Sequence, residues 1–374
     1  MRKNKIAAII IAAGYSSRMD GFKPLLKFEN DTAVERVVKT YKKAGVDQII
    51  LVLGYRAEEI KSYFENTSVH CIINENFDQG MYTSIVKGLT LVDDRMAAFF
   101  VHPVDIPLVK AQTIRQMMTF FESSKKGIIY PSFLGKRGHP PLIHSRYKNI
   151  IMMNNQDGGL KRLLKTYADD ATDLPLEDES ILMDMDTSAD YETLLCYNSQ
   201  TAPNLKECTA LLDRYQVSEK IRKHSEKVLE VSHFLLSLMK DKDVTLDVAS
   251  VQAAAMLHDI MRTEEHHPEK GAQLLKKLGY EKIGNIISTH MDINVAEDRE
   301  ITENEIVYLA DKLVVNDQLV CLKKRENETL IKYDKNPEAS EKIKRRFENA
   351  RLIQHKIEAI IGKGLFDGEA DLFN

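Results

Sequence analysis

The sequence predicts an α/β half followed by an almost wholly α-helical half, and three patterns carry that reading. From the N-terminus to about residue 195, short apolar runs alternate with amphipathic helical spacing. Past residue 204, the spacing is almost wholly helical. Between the two, the polar, proline-containing run Asn198-Ser-Gln-Thr-Ala-Pro-Asn204 reads as a linker. Expected domains are therefore 1–198 and 204–374, as the length of 374 residues also suggests.

In the first half, Ile6–Ile11, Gln48–Leu53, His70–Ile73, Ala97–Val101 and Gly127–Pro131 have strand length and little alternation, as strands buried on both faces do. Thr32–Ala44, Ala57–Phe64, Thr83–Leu91 and Gln112–Phe121 carry the helical period. Such alternation implies a mainly parallel sheet covered by helices, with ligands bound outside the carboxyl ends of its strands. In the second half, Val217–Met239, Leu246–Met261, Pro268–Leu278, Ile283–His290, Glu303–Val315 and Ala339–Ile361 read as helices, and the acidic end from Asp367 as a tail.

Composition narrows the function. A net charge of −4, with no basic patch interleaved with aromatics, gives no general attraction to nucleic acid. No run of about 18 apolar residues is present to span a membrane. Arg2, Lys3 and Lys5 before Ile6–Ala13 resemble a secretory leader, but the apolar run is too short and Arg18 and Asp20 follow at once. Cys71, Cys196, Cys208 and Cys321 form no Cys-x-x-Cys pair, which argues against a disulfide framework or thiolate zinc site and points to the cytoplasm.

Ile9–Lys23 is the most informative stretch. A buried strand ends in a turn of small residues, Ala12, Ala13, Gly14 and Ser16, followed by Arg18 and Lys23. Exposed backbone N–H groups and two cations suit a phosphate chain. The turn is neither a Walker loop nor the Gly-x-Gly-x-x-Gly dinucleotide turn. Asp105, in Val101-His-Pro-Val-Asp-Ile-Pro-Leu-Val109, sits at a strand end facing the same edge and suits Mg²⁺, although it could instead cap the helix after Pro107. Asp184 and Asp186 fall on one side of an extended segment, and either could join the same ion or cap the helix near Ala189.

His224, His258-Asp259, His267, His290 and Asp311 form a second constellation on helices or helix ends. Imidazoles with carboxylates suit Mn, Fe or Zn, and hydrolysis at such a centre uses a metal-bound water. Arg262, one turn after His258, reads equally as a phosphate contact or a solvated charge, and His266 as an exposed neighbour of His267.

The N-terminal loop resembles the Ala-Ala-Gly-x-Ser-x-Arg-Met-Gly-x-x-Lys signature of the nucleotidyltransferases that finish molybdenum cofactor, most of all the cytidylyltransferase branch. Asp20 stands where that family has Gly, with Gly21 displaced by one. Asp105-Ile-Pro107 resembles the family's metal-binding Asp-x-Pro element. Asp184-Met-Asp186-Thr-Ser188 resembles its Asp-Ile-Asp-Thr-Pro element, which favours Asp186 as the ligand. Gly54–Glu59, with Arg56, falls in family order. Asn74, Gly80 and Ser84 resemble the segment that touches base and ribose; Gly138, His139, Pro140, Asp157 and Gly158 resemble the loops around the acceptor.

The resemblance implies a Rossmann-like, mainly parallel nucleotidyltransferase domain followed by an all-α HD domain. It implies Mg²⁺ on Asp105 and Asp186, and transfer from CTP to a molybdopterin-type acceptor. Arg18 and Lys23 would stabilise the departing pyrophosphate, and a molybdenum hydroxylase apoenzyme is an implied partner. The helical half resembles HD-domain metal-dependent phosphohydrolases over Val217–Val315. That likeness implies one or two transition-metal ions (Mn, Fe or Zn): one on His224, His258, Asp259 and Asp311, a second on His267 and His290, with Asp259 bridging. The alternative is a sugar- or alcohol-phosphate nucleotidyltransferase with a nucleotide-sensing helical module.

Overall fold

The structure is a computed structural model that describes residues 4–19, 21–154, 158–296 and 298–365. Arg2, Lys3, Asp20, Asp157 and the tail from Asp367 lie outside the described residues. Chain contacts divide it into two compact units, Met1–Ser199 and Gln200–Asn374.

The first unit is built on β1 (Ile6–Ala12), a short hairpin of β2 (Lys27–Phe28) and β3 (Asp31–Thr32), β4 (Gln48–Leu53), β5 (His70–Ile73), β6 (Ala98–Pro103), β7 (Ile128–Phe133), β8 (Lys136–Arg137), β9 (Leu142–His144) and β10 (Ala171–Pro175). The main sheet has the order β10-β7-β9-β6-β1-β4-β5, with β8 on β7. Its helices are α1 (Ala33–Ala44), α2 (Ala57–Ser62), α3 (Met81–Leu89), α4 (Ala111–Ser123), α5 (Lys148–Met153), α6 (Gly159–Lys165) and α7 (Ser188–Asn198). β1 is buried at every residue because it lies mid-sheet, parallel to both β4 and β6. That explains its unbroken Ile/Ala run.

The exception to parallel pairing positions part of the site. β9 runs antiparallel between β6 and β7, with Phe100 opposite Leu142. Its amino end therefore lies at the edge where β6 has its carboxyl end, bringing Gly138–Pro141 to the side where β1, β4 and β6 terminate. A three-residue strand has too little pattern to stand out in the sequence.

The second unit contains α8 (Leu205–Arg214), α9 (Glu219–Leu238), α10 (Val248–Leu257), α11 (His267–Lys277), α12 (Glu281–Ile287), α13 (Glu303–Lys312), α14 (Leu322–Lys332) and α15 (Pro337–Ile361). α10 packs against α8, α9, α12 and α13. Its Ala253-Ala254-Ala255 run is fully buried, because small side chains let helices approach on several sides.

Several expected boundaries change. The helix expected over Leu246–Met261 ends at Leu257, so His258 and Asp259 lie on the tight turns that follow and not on the helix itself. His290 likewise lies past the end of α12. Expected helix Glu303–Val315 stops at Lys312, and Val314–Val315 (β11) pairs antiparallel with Gln318–Leu319 (β12). Asn316, in the turn between them, takes the left-handed conformation (φ 57°) that Asn tolerates. In the expected linker, Ala202 joins the core of the second unit and Asn204 caps α8. α8 and α14 add two helices to those expected.

Candidate active sites

In the first unit, the loop after β1 is held by close backbone approach. Ala13 O accepts from Tyr55 N at 3.1 Å. A Cβ on Gly54 would lie 2.7 Å from Ala13 O and 2.6 Å from the Phe77 ring, so only glycine lets these strand ends touch. Ser16 takes a left-handed conformation (φ 61°), and its hydroxyl accepts from Lys23 N at 3.0 Å. The chain thus folds back and returns Lys23 to the loop. A cavity of about 230 Å³ results, lined by Gly14, Ser16, Arg18, Lys23, Val104 and Asp186 among others.

Asp186 meets both cations of this loop, Lys23 Nζ at 2.7 Å and Arg18 Nη1 at 3.4 Å. It does not cap the following helix: Thr187 is the N-cap of α7, in a reciprocal capping box with Asp190. Asp105 is no cap either, since α4 begins at Ala111 with Asp178 accepting from Lys110 N and the Thr113 hydroxyl. Instead Asp105 O accepts from Met185 N at 2.8 Å, which ties the two acidic segments together. Met185 is fully buried between Asp184 and Asp186, so both carboxylates face away from the core.

Burial raises the Asp105 pKa; Lys23 opposes this, and the charges of Asp186 and Asp184 add to it. A buried carboxylate that faces two further carboxylates is a hard-oxygen site that a divalent cation would relieve, so these residues fit Mg²⁺.

Other expected contacts fall around this edge. Asn74, at the carboxyl end of β5, is buried and donates to the Thr83 and Ser84 hydroxyls at 2.8 and 3.0 Å. Its amide hydrogens and the Ser84 hydroxyl are therefore engaged within the protein, bracing the turn that carries Gly80 (φ 103°). Arg56 forks onto Glu59 and lies over the Phe22 ring at 4.7 Å. Gly138 N donates to Pro131 O of β7 at 2.8 Å, and His139 N donates to Ile181 O in the 3-10 turn Glu179–Leu182 at 2.9 Å. Pro140 follows in the same loop, and Gly158 (φ 76°) opens α6. Burial lowers the His139 pKa, opposed by the nearby Asp184 charge.

His102 has a role the sequence did not suggest, although it lies inside the Asp105 motif. It is fully buried, with Tyr41 Oη 2.9 Å from Nδ1 and Ile106 O 2.9 Å from Nε2. Burial pushes its pKa down to about 4. The neutral ring donates from Nε2 to Ile106 O and accepts from Tyr41, pinning the turn beyond Asp105 to α1.

In the second unit, two triples have ligand atoms all within 4.8 Å of one another: His224, His258, Asp259, and Asp259, His267, His290. Asp259 belongs to both. Its Oδ2 lies 3.6 Å from His258 Nε2, while Oδ1 lies 3.2 Å from His267 Nε2 and 3.4 Å from His290 Nε2. The carboxylate thus turns one oxygen to each side. Burial alone would raise its pKa, but the neighbouring histidines hold it far below the carboxylate range.

The backbone sets the tautomers. His224 Nδ1 meets Asn316 O at 2.8 Å, His258 Nδ1 meets Ala255 O at 2.8 Å, and His290 Nδ1 meets Ile287 O at 2.6 Å. A carbonyl only accepts, so each Nδ1 carries a proton and each Nε2 faces inward. Burial would lower the His224 pKa, but its contact with Asp311 raises it overall. His258 Nε2 is buried with no hydrogen-bond partner, and burial lowers the His258 pKa to about 4. An orphaned buried acceptor costs about 1–3 kcal/mol, which a metal ion would relieve. The donor set fits a transition metal. Asn316 is a functional residue missed in the sequence, where Val-Val-Asn-Asp-Gln-Leu already had a hairpin pattern.

Asp311 stands beside the first triple, with Oδ1 3.2 Å from His224 Nε2 and 4.0 Å from His258 Nε2. Burial would raise its pKa, but Lys312 and Arg325 hold it well below the usual range. Arg262 Nη1 approaches His267 Nε2 at 3.0 Å, and His266 is exposed, as expected. A cavity of about 720 Å³ opens over His224, Asp259 and Asp311.

These features define a two-part enzyme, a nucleotide-transfer fold of mostly parallel mixed sheet followed by a helical His/Asp centre. Comparison with known proteins agrees. Residues 8–172 match the MobA-like NTP transferase domain, and residues 222–316 match the HD domain. The molybdenum cofactor cytidylyltransferase of Escherichia coli (strain K12) is 30% identical over 190 residues, covering 50% of this chain and 94% of that protein. The bifunctional protein GlmU of Prochlorococcus marinus (strain MIT 9211) is 27% identical over 153 residues, and the match spans 40% of this chain and 32% of GlmU. The crystal structure of Rv0371c from Mycobacterium tuberculosis H37Rv superposes with a TM-score of 0.46 at 23% identity, covering 52% of this chain and 98% of that one. The chain belongs to the MobA-like NTP transferase family and carries an HD domain after it.

Proposed function

We propose that the first unit transfers a cytidylyl group from CTP to a molybdopterin-type acceptor with release of pyrophosphate, and that the second hydrolyses phosphate esters with bound metal. For the first activity, the supporting observation is that Gly14, Ser16, Arg18, Lys23 and Asp186 line one cavity, tied through Met185 to Asp105. The acceptor phosphate oxygen forms a bond to the α-phosphorus as the bond to the β-phosphate oxygen breaks. Arg18, Lys23 and loop N–H groups take up the charge of the leaving pyrophosphate, and Gly138–Pro140 flank the acceptor side. Mg²⁺ held by Asp105 and Asp186 would supply charge neutralisation on the phosphates. Lys23 then exchanges its Asp186 partner for phosphate. Ala12-Ala13-Gly14 supports cytidine through its likeness to the cytidylyl branch, where the guanylyl branch reads Ala-Gly-Gly.

For the second activity, the carrying observation is the buried lone pair of His258 beside a carboxylate shared by two triples. His224, His258, His267, His290, Asp259 and Asp311 would hold Mn, Fe or Zn, which would supply an activated water. No described helix is long and apolar enough to cross a membrane. Free Cys71, Cys196, Cys208 and Cys321 accord with a cytoplasmic enzyme, and a molybdenum hydroxylase apoenzyme is the proposed recipient of the finished cofactor. The test is pyrophosphate release from CTP, GTP, ATP and UTP with molybdenum cofactor as acceptor. Release that is highest with CTP supports the reading. Release with a sugar or alcohol phosphate but not with molybdenum cofactor overturns the acceptor.

A further inference from the structure

The cavity over the helical centre has a wall that the HD match does not cover. The match ends at residue 316, whereas Arg325, Lys332, Tyr333, Arg346 and Phe347 all line the cavity. These residues come from α14, α15 and the turn between them. The floor, with His224, Asp259 and Asp311, belongs to the matched segment. The wall formed by these residues therefore lies outside the matched segment.

Charge around the cavity is uneven. Six Lys and Arg side chains line it: Lys220, Arg262, Lys312, Arg325, Lys332 and Arg346. Four are already engaged. Arg346 forks onto Asp292 at 2.7 and 2.6 Å, and Lys312 pairs with Asp311 at 2.6 Å. Arg325 donates to the backbone carbonyls of Asp311 and Val314, and Arg262 lies against His267 and Asp259. Lys220 and Lys332, both exposed, pair with no carboxylate among the described residues. Glu328, an exposed lining residue one turn before Lys332, sets one carboxylate against these two cations, so the unspent charge at the rim is positive on balance, apart from the floor where a scissile phosphate meets the His/Asp triples. Ile343 and Phe347 give the wall an apolar stretch, with Tyr333 half open beside Lys332. A volume of about 720 Å³ falls within the roughly 300–1,000 Å³ of pockets that enclose whole organic ligands rather than a bare ion.

We propose that Lys220 and Lys332 make this site selective for an organic phosphate with a second anionic group, of the nucleoside diphosphate class, the rim lysines gripping one phosphate while the other lies at the histidine floor. This rests on reading the second unit as a phosphohydrolase. For a diphosphate, the water oxygen bonds to the terminal phosphorus and the bridging P–O bond breaks. A monophosphate and inorganic phosphate leave, and the water proton is released.

The test compares ADP, AMP, inorganic pyrophosphate and p-nitrophenyl phosphate on the full, Mn²⁺-loaded chain, wild type and Lys220→Met/Lys332→Met. One charge-assisted phosphate contact is worth about tenfold. The wild type is expected to turn over ADP with a kcat/KM roughly tenfold or more above that for AMP. The double variant is expected to bring that ratio close to one, mainly through KM. An unchanged ratio, or pyrophosphate as the preferred substrate, overturns the proposal. Loss of p-nitrophenyl phosphate hydrolysis in Asp259→Ala tests the phosphohydrolase reading separately. If no ester is turned over, that reading fails and ADP binding decides the proposal. Equilibrium dialysis of ADP against the metal-free chain must show weaker binding in the double variant, and equal binding rejects it.

Discussion

The two candidate sites solve the placement of charge in opposite ways. In the sheet-edge site, opposite charges already satisfy one another: Lys23 and Arg18 both lie on Asp186, whose side chain is 41% exposed. In the helical centre, backbone carbonyls tie down the outer imidazole nitrogens and leave the inner ones facing a shared carboxylate, with His258 wholly buried. On the proposed function, the first arrangement would have to exchange partners for phosphate and metal to bind. The second is pre-organised for a cation, with His258 Nε2 buried and without a hydrogen-bond partner from the protein.

The sharpest way to break this contrast is Asp259→Ala. If that carboxylate serves both triples, the variant loses both ions together and phosphoester hydrolysis falls by about a thousandfold or more, several kcal/mol in the barrier. His267→Ala leaves one ion bound. Metal analysis of the purified variants checks both, and an Asp259→Ala protein that keeps two ions removes the bridging assignment. Cytidylyl transfer is expected to survive in each.

Asp105→Asn keeps the shape but removes the charge that would hold Mg²⁺. Transfer is expected to fall by on the order of a hundredfold or more, measured as pyrophosphate release at saturating Mg²⁺. Activity within a few-fold of wild type would show that Asp186 and the loop cations suffice without it. Circular dichroism guards against misfolding.

His102 offers a test that involves no ligand. Its folded pKa of about 4 lies below the value near 6.5 of an exposed histidine, so the unfolded chain binds the proton first. Its contribution is fully present above about pH 6.5 and is lost as pH falls through 4, about 3 kcal/mol in all. Urea unfolding of the first unit at pH 7 and pH 5 should show this loss beginning, and His102→Asn should flatten the slope. An unchanged slope would mean that the ring is not held neutral.

The smallest expected effect is at Ala13. Ala13→Gly with Ala12 unchanged should relax the preference for CTP over GTP by a few-fold, roughly 1 kcal/mol, by opening space beside the turn. An unchanged ratio of pyrophosphate release would detach the cytidine preference from this turn. A chain beginning at Gln200, which keeps the buried Ala202 and the Asn204 cap, is expected to fold alone with a cooperative thermal transition. A chain from Asn204 lacks Ala202 and should be less stable.

Local pattern alone determined the parallel strands and most helices, and it singled out the Gly-Tyr-Ser-Ser-Arg turn, Asp105 and His258-Asp259 as candidates. Those features depend on periods of two and 3.6 residues and on side-chain chemistry, both present in a few consecutive residues. Tertiary structure decided what depends on distant partners. Asp186 could cap a helix or meet a cation until Thr187 took the cap and Lys23, 163 residues away, closed on the carboxylate. His224 gained its orientation from Asn316, 92 residues on, through a hairpin that the helical pattern concealed. The reversed β9 brought Gly138–Pro140 to the edge where β1, β4 and β6 end, and α14 and α15 closed a cavity over His224, which lies far earlier in the chain. Such contacts arise from chain reversal and packing, and no window of neighbouring residues contains them.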